Sequence, residues 1–121
     1  MTAFFPGKPP IDAYGNGGFR FAGMSHRGSI LALPSGVYGW KADGVALTVA
    51  DFAGVFAEGA GVDHLLLGTG WAMSRPNREV AEAFEQRAIT LEVMTTGAAV
   101  STYNLLLAER RKVAAALIAV E

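Results

Sequence analysis

Short apolar runs alternate with amphipathic stretches along the second half of this chain, and this order constrains the fold more than any other feature. Three runs have the length of β-strands: residues 64–67, 90–94 and 113–120. The stretch after the first run has a helix-capping residue at Asn77, and the stretch after the second has one at Thr95 or Thr96. This strand–helix–strand–helix–strand order predicts a mostly parallel sheet with right-handed crossover connections.

The apolar pattern within these segments indicates how they are buried. After Asn77, the side chains of Val80, Phe84 and Ala88 fall on one helical face, and the charged residues lie mostly away from it. The last run, residues 113–120, contains no polar side chain. Because a strand that is covered on both faces has a continuous apolar sequence, we expect this run to be central in the sheet.

The first half of the chain is rich in glycine and proline and has shorter apolar bursts. Residues 19–22 and 30–33 flank a turn over residues 23–29, which predicts a hairpin, and residues 37–40 form a further strand candidate. These segments are expected to form a small antiparallel β layer. The predicted fold is therefore a single α/β domain over residues 1–121, with three layers and a mixed, mostly parallel central sheet.

A short helix is expected between the two halves. Thr48 and Asp51 have the spacing of a capping box, in which each side chain reaches a backbone amide of the other. Phe52 and Phe56 would lie on one face of that helix, and the glycines at residues 59–61 would end it.

The composition excludes several classes of function. Of the 121 residues 51% are hydrophobic and 17% charged, and the net charge is −1, so there is no general attraction to nucleic acid or to an anionic membrane. The chain has no cysteine, which excludes disulfides, thiolate metal sites and a cysteine nucleophile. No secretory signal, transit peptide or membrane-spanning run is visible, so a soluble cytoplasmic protein without stable membrane insertion is expected.

The most motif-like segment is Gly68-Thr69-Gly70, which follows a predicted strand. A dinucleotide-binding loop needs a third glycine, but Met73 stands at its place, and no lysine followed by serine or threonine makes a Walker A loop. One hypothesis is an anion site, helped by Arg75 and Arg78 near the next helix N-terminus. The alternative is a sharp strand-to-helix turn whose glycines let Trp71 pack nearby.

A second loop should lie beside the first, because both leave the carboxyl ends of parallel strands. Thr95, Thr96 and Gly97 open the second crossover helix, and their hydroxyls would suit a small-anion pocket shared with residues 68–70. The alternative is ordinary helix capping. Asn104 lies within the same helix, where it either ties the helix to a neighbouring loop or points into a pocket.

The remaining polar residues do not form a catalytic or metal-binding constellation in the sequence. His26 and His64 have no carboxylate or histidine at helical spacing, so no metal site and no cofactor are predicted. Glu92 lies within a strand, where it either has a partner or is simply solvated. The many aromatic residues of the first half would pack in the core or form a patch for a partner or a second copy; they are Phe4, Phe5, Tyr14, Phe19, Phe21, Tyr38 and Trp40.

Several stretches together resemble a known family of small domains of unknown function, whose best-known member is a mitochondrial assembly factor for respiratory complex I (NADH:ubiquinone oxidoreductase). They are residues 35–40 (SGVYGW), 67–70 (LGTG), 92–99 (EVMTTGAA), 102–106 (TYNLL) and 111–117 (RKVAAAL). The resemblance spans about residues 11–119. Members often carry a cysteine and an arginine where this chain has Val100 and Ser101, and glycine at the place of Arg110, so no role of those residues is carried over.

The resemblance implies a three-layer α/β domain in a bacterial or organellar protein, and the missing transit peptide favours the bacterial case. It implies no catalytic activity, and it implies action through protein partners. Two hypotheses follow. The first is a non-catalytic, assembly-factor-like interaction protein, with self-association as a further option. The second is a small-molecule or anion binder, with an enzyme as a further option, whose pocket would lie between the loops at residues 68–70 and 95–97.

Overall fold

The structure, a computed structural model, describes residues 5–42 and 46–121. Within these ranges nine strands form two sheets, accompanied by three α-helices and two 3-10 turns. The strands are β1 (Phe5–Pro6), β2 (Ile11–Gly15), β3 (Gly18–Phe21), β4 (Met24–Arg27), β5 (Ser29–Leu33), β6 (Gly36–Trp40), β7 (His64–Gly68), β8 (Thr90–Met94) and β9 (Val113–Leu117). The helices are α1 (Ala53–Phe56), α2 (Arg78–Gln86) and α3 (Thr96–Ala108), and the 3-10 turns are Val49–Phe52 and Gly59–Gly61.

The main sheet has six strands in the order β1-β6-β5-β9-β7-β8. The strand β7 pairs in parallel with both β9 and β8, as the alternating pattern of the second half predicts. The pairs β9–β5, β5–β6 and β6–β1 are antiparallel. All five residues of β9 are buried, and β9 lies inside the sheet between β5 and β7. The predicted mixed α/β fold with a central last strand is confirmed, but the sheet is parallel only in β8-β7-β9, since the other three strand pairs are antiparallel.

The first half differs in detail from the prediction. Only β2, β3 and β4 form the small antiparallel sheet, while β5 and β6 belong to the main sheet. All five residues of β5 are buried, so both of its faces need to be covered, and this is achieved in the main sheet, where β5 lies between β6 and β9. The predicted turn at residues 23–29 contains β4, and the chain reverses instead at Ala22 and Gly23, whose φ angles are +52° and +75°. Phe4 lies outside the described residues.

The main sheet is covered on both faces, which produces three layers. Leu65 and Leu67 of β7 face α1 and α2, and they pack with Phe52 and Phe84. Leu66, between them, faces the opposite side, where α3 and the small sheet cover the main sheet. The small sheet contributes Ile11 of β2 and the aromatic side chains Phe19 and Phe21 of β3 to this second core. The aromatic residues of β3 are therefore core residues, which is one of the two predicted roles.

The predicted helix starts are also found. Asn77 Oδ1 accepts a hydrogen bond from the Val80 N–H at 3.0 Å, and Thr95 Oγ1 accepts one from the Ala98 N–H at 3.3 Å. The Asp51 carboxylate accepts a hydrogen bond from the Thr48 N–H at 2.8 Å, at the start of the short helical segment that ends in α1. Thr95 directly follows β8 and begins α3 at one of the two candidate loops, whereas α2 begins only at Arg78, after the segment that follows β7.

Candidate functional site

The two loops that the sequence analysis paired lie in direct contact. The Thr96 N–H donates to the Gly70 carbonyl oxygen at 2.9 Å, and the Gly70 N–H donates to Thr96 Oγ1, also at 2.9 Å. The Thr96 hydroxyl then donates to the Ile118 carbonyl oxygen at 2.7 Å. One threonine side chain thus links the ends of β7, β9 and α3.

Little space remains between these loops. Thr96 is completely buried, and a Cβ atom added to Gly68 would lie 2.8 Å from Thr96 Cα and 3.1 Å from Ala99 Cβ. Because real Cβ atoms do not approach backbone so closely, glycine at position 68 is explained by the packing of α3 onto β7. The geometry accounts for Gly68 and Thr96 without a ligand, and the binding role assigned to them stays a prediction.

Thr69 fixes the shape of the loop that follows β7. Its hydroxyl donates to the Ala72 carbonyl oxygen at 2.9 Å and accepts from the Ser74 N–H at 2.9 Å, while its own N–H donates to the Met94 carbonyl oxygen at 3.0 Å. Gly70 has a φ of +105°, a conformation that strongly favours glycine. The Gly68-Thr69-Gly70 segment is therefore a braced turn, and it presents Trp71 to solvent with 68% of its surface exposed.

The other predicted ligand residues take no part in the hydrogen bonds between Gly70, Thr96 and Ile118. Thr95 caps α3, and the side chains of Arg75 and Arg78 are exposed near the start of α2. Neither arginine forms an ion pair with another of the described residues. Asn104 is eight residues along α3 from Thr96, which is about 12 Å of helix.

Asn104 ties α3 to the start of β2, which is the structural alternative considered above. Its Oδ1 accepts from the Ile11 N–H at 2.8 Å, and its amide nitrogen donates to the Ile11 carbonyl oxygen at 2.8 Å. The side-chain amide therefore binds one residue of β2 as a neighbouring strand would. Its neighbour Tyr103 is buried, and burial raises the pKa of this phenol to about 12, so it stays neutral at an alkaline pH at which an exposed tyrosine ionises.

Glu92 has a partner and is also partly solvated. Its Oε1 lies 2.5 Å from Nε2 of His64, and the exposed fractions of the two side chains are 49% and 18%. The strands β7 and β8 are parallel, and Leu66 is paired with Glu92. Because His64 and Leu66 are two residues apart and lie on the same face of the sheet, Glu92 lies diagonally opposite His64 on that face. It is the one ion pair found within residues 5–42 and 46–121. Its two residues are 28 positions apart, so their spacing in the sequence could not have predicted the contact.

The structure also contains a groove that the sequence analysis missed. It has a volume of about 390 Å³ and lies between α2 and the strand β8; we call it the α2/β8 groove. Its apolar lining comes from Pro76, Ala81, Phe84, Ile89, Leu91 and Val93, and Arg75 and Glu85 complete it. The alternation of apolar and polar residues in β8 is the one signal that could have indicated a half-open strand.

A second open groove, of about 430 Å³, lies along the small sheet. Arg20 and Ser25 form one cross-strand pair, and Gly18 and Arg27 form another, so both arginines are on the same face of the sheet. Small residues, among them Ala13 and Gly18, form much of the rest of its lining. Two cationic side chains on an open sheet face attract anions in general, without selecting one.

None of the helices within the described residues is both long and apolar enough to cross a membrane.

The chain is similar to proteins from bacteria and animals. An uncharacterised protein of Rhodobacter capsulatus is 36% identical over 114 residues, which cover 94% of this chain and 87% of that protein. The mouse protein named NADH dehydrogenase (ubiquinone) 1 alpha subcomplex assembly factor 3 is 32% identical over 119 residues, 98% of this chain. The match spans only 64% of the mouse protein's length.

Solved structures agree with the fold described above. The crystal structure of a protein named as an outer membrane protein from Bartonella henselae superposes with a TM-score of 0.93 at 52% identity, over 97% of this chain and 99% of that one. The mouse relative and the family model confirm the resemblance to a family that includes a complex I assembly factor. The family model described as a protein of unknown function (DUF498/DUF598) matches residues 11–118, and the chain belongs to this family.

Proposed function

We propose that this chain is a non-catalytic interaction protein that acts by holding protein partners, in the manner of an assembly factor. The name of its mouse relative supports the assembly role, at 32% identity over nearly all of this chain. The cysteine-free sequence suits a reducing compartment, in which we propose that it works as one domain.

The observation that carries this proposal is the loop after β7. Trp71 and Met73 are exposed by 68% and 50%, although large apolar side chains of this kind are usually covered. Their loop is held in one shape by the two hydrogen bonds of the Thr69 hydroxyl. Tryptophan is enriched at the centres of protein interfaces, and a loop that is ordered before binding loses less entropy on association.

The alternative, a ligand pocket between residues 68–70 and 95–97, has less support from the geometry. The reciprocal hydrogen bonds between Gly70 and Thr96 join the two loops directly, and the grooves described above lie elsewhere. The exposed Arg75 and Arg78 are the residues that would still attract an anion near the start of α2.

The proposal is tested by affinity capture of the tagged chain from its native host, with quantitative mass spectrometry of retained proteins and small molecules. The variant Trp71→Ala should weaken capture of the specific protein partner by about thirtyfold or more, since truncation of an aromatic hot-spot residue costs about 2 kcal/mol or more. Met73→Ala, which removes the neighbouring exposed apolar side chain, should weaken capture as well. The matched control is Leu105→Ala on α3, which removes a side chain exposed by 60% at another surface. Unchanged capture by both loop variants, or retention of a small molecule in place of a protein, would contradict the proposal.

A further inference from the structure

The strand β8 has a free edge. It is the last strand of the main sheet, and within the described residues only β7 pairs with it. The Thr90 N–H donates to the Asp63 carbonyl oxygen, and the Met94 carbonyl oxygen accepts from the Thr69 N–H, so the even-numbered residues of β8 direct their backbone groups toward β7. Because backbone groups alternate in direction along a strand, those of Leu91 and Val93 point to the free edge.

The side chains of these two residues point into the α2/β8 groove. Leu91 and Val93 are only half-buried, and they line the groove opposite Phe84 of α2. The free backbone groups and the groove are therefore next to each other, between a strand edge and a helix. This combination suits an added strand, in which main-chain hydrogen bonds provide affinity and alternate side chains enter the groove.

The charge of Glu92 distinguishes between occupants. A second copy of β8, paired antiparallel about its centre, would place Leu91 opposite Val93 and Glu92 opposite Glu92. Like charges directly opposite each other destabilise a strand pair, whereas an opposite charge stabilises it. Glu92 is 49% exposed on the face away from the groove, so the favoured occupant carries a cation there.

We propose that the free edge of β8 and the α2/β8 groove bind an extended segment of a partner protein, with apolar side chains opposite Leu91 and Val93 and a lysine or arginine opposite Glu92. This inference rests on the proposed function, since it names the surface that holds a partner. It assigns the interface to a strand edge, separate from the Trp71 loop on which the proposed function depends. Two surfaces on one chain then contribute to one complex.

The test uses the full chain, labelled with nitrogen-15, and two pools of short synthetic peptides. Both pools have valine, isoleucine, leucine or phenylalanine on each side of a central residue, which is lysine in one pool and glutamate in the other. The lysine pool should shift and protect the amides of Leu91 and Val93, and it should bind about three- to tenfold more tightly than the glutamate pool. Glu92→Lys should reverse this preference, while Glu82→Lys, on the exposed side of α2, should leave it unchanged.

Three results would overturn the proposal. The first is the absence of amide shifts in β8 with the lysine pool at millimolar concentration. The second is an unchanged preference in the Glu92→Lys variant. The third is protection of the Leu91 and Val93 amides without peptide in a dimeric protein, because a second copy would then occupy the edge. If host capture depends on Trp71 but is the same for wild type and Glu92→Lys, the proposed function stands and the β8 site does not.

Discussion

Replacement of Thr96 by valine tests whether the contact between the two loops is a structural joint. Valine has nearly the shape of threonine, so the packing against Gly68 is retained and the hydroxyl alone is lost. The Gly70 N–H would lose its acceptor at 2.9 Å, and the Ile118 carbonyl oxygen would lose its donor at 2.7 Å. Thr96 is fully buried, so water cannot replace the hydroxyl at its own position.

The expected loss of stability follows from these two orphaned groups. Each unsatisfied buried backbone group costs about 1–3 kcal/mol. Part of this cost is offset because the variant no longer has to bury a hydroxyl group, so we expect a net loss of stability of about 2–3 kcal/mol. For a chain of 121 residues this corresponds to a decrease in Tm of about 10 °C. Urea unfolding followed by circular dichroism measures the loss of free energy, and a thermal scan measures the change in Tm.

Two matched variants separate this explanation from a general effect of the region. Thr96→Ser retains the hydroxyl and should recover most of the stability. Thr69→Val removes a hydroxyl that also has two hydrogen bonds but is more exposed, so it should cost only about 1 kcal/mol. If Thr96→Val were as stable as the wild type, the hydroxyl would not be a structural joint, and its role would have to be sought in a ligand.

Three further changes test other parts of the structure. Asn104→Leu should cost about 2 kcal/mol in urea unfolding and accelerate hydrogen exchange at the Ile11 amide, because both bonds to the Ile11 backbone are lost. Ala88→Gly should raise the free energy of unfolding by about 0.5–1 kcal/mol, since Ala88 has a φ of +57° just after α2. Burial raises the pKa of Tyr103 to about 12 in the folded state, whereas the same phenol ionises from about pH 10 in the unfolded state. Between these pH values only the unfolded state is ionised, so the stability of the fold decreases as the pH rises. Between pH 8 and about pH 11, the free energy of unfolding should therefore decrease by about 1.4 kcal/mol more in the wild type than in the Tyr103→Phe variant.

Each of these has a result that would contradict it. Unchanged exchange at Ile11 in the Asn104 variant would show that its amide pairing is not a constraint on β2. A destabilised Ala88→Gly variant would mean that the entropy of the unfolded chain outweighs the relief of backbone strain. Equal pH dependence of wild type and Tyr103→Phe would show that the buried phenol is not coupled to unfolding in alkali.

The second half of the fold could be predicted because its local signals agree with one another. The limits of β8 match the apolar run at residues 90–94, and the caps at Asn77 and Thr95 are where the residue types placed them. The end of α3 had no such signal: the helix ends at Ala108 and is followed by Arg110, which has a φ of +60°. Arginine is an unusual residue for that conformation, and the sequence therefore lacked the glycine that normally indicates the end of a helix.

The first half was harder to predict because its strands are short and their partners are distant in sequence. Whether β5 belongs to the small sheet or to the main sheet depends on its pairing with β9, whose residues are more than 80 positions away. Local periodicity contains no information on such a pairing. The contact between His64 and Glu92 depends on the same kind of pairing, between strands whose residues are 28 positions apart. The groove beside β8 lies between elements that follow each other in the chain, and the alternation in β8 was its only local signal.

The loop pair shows why adjacency is easier to predict than chemistry. Parallel strands bring residues 68–70 and 95–97 together whatever their role, so the topology predicted the contact between Gly70 and Thr96. Whether a loop pair of this kind is open or closed depends on side-chain volumes and on a few hydrogen bonds. Here α3 packs against Gly68, in the space that a phosphate would need. The Thr96 hydroxyl, which could have bound an anion, accepts a hydrogen bond from the Gly70 N–H. If the chain acts as proposed, the hydrogen bonds of Thr69 and Thr96 serve that function, because they hold the loop in the shape in which Trp71 is exposed.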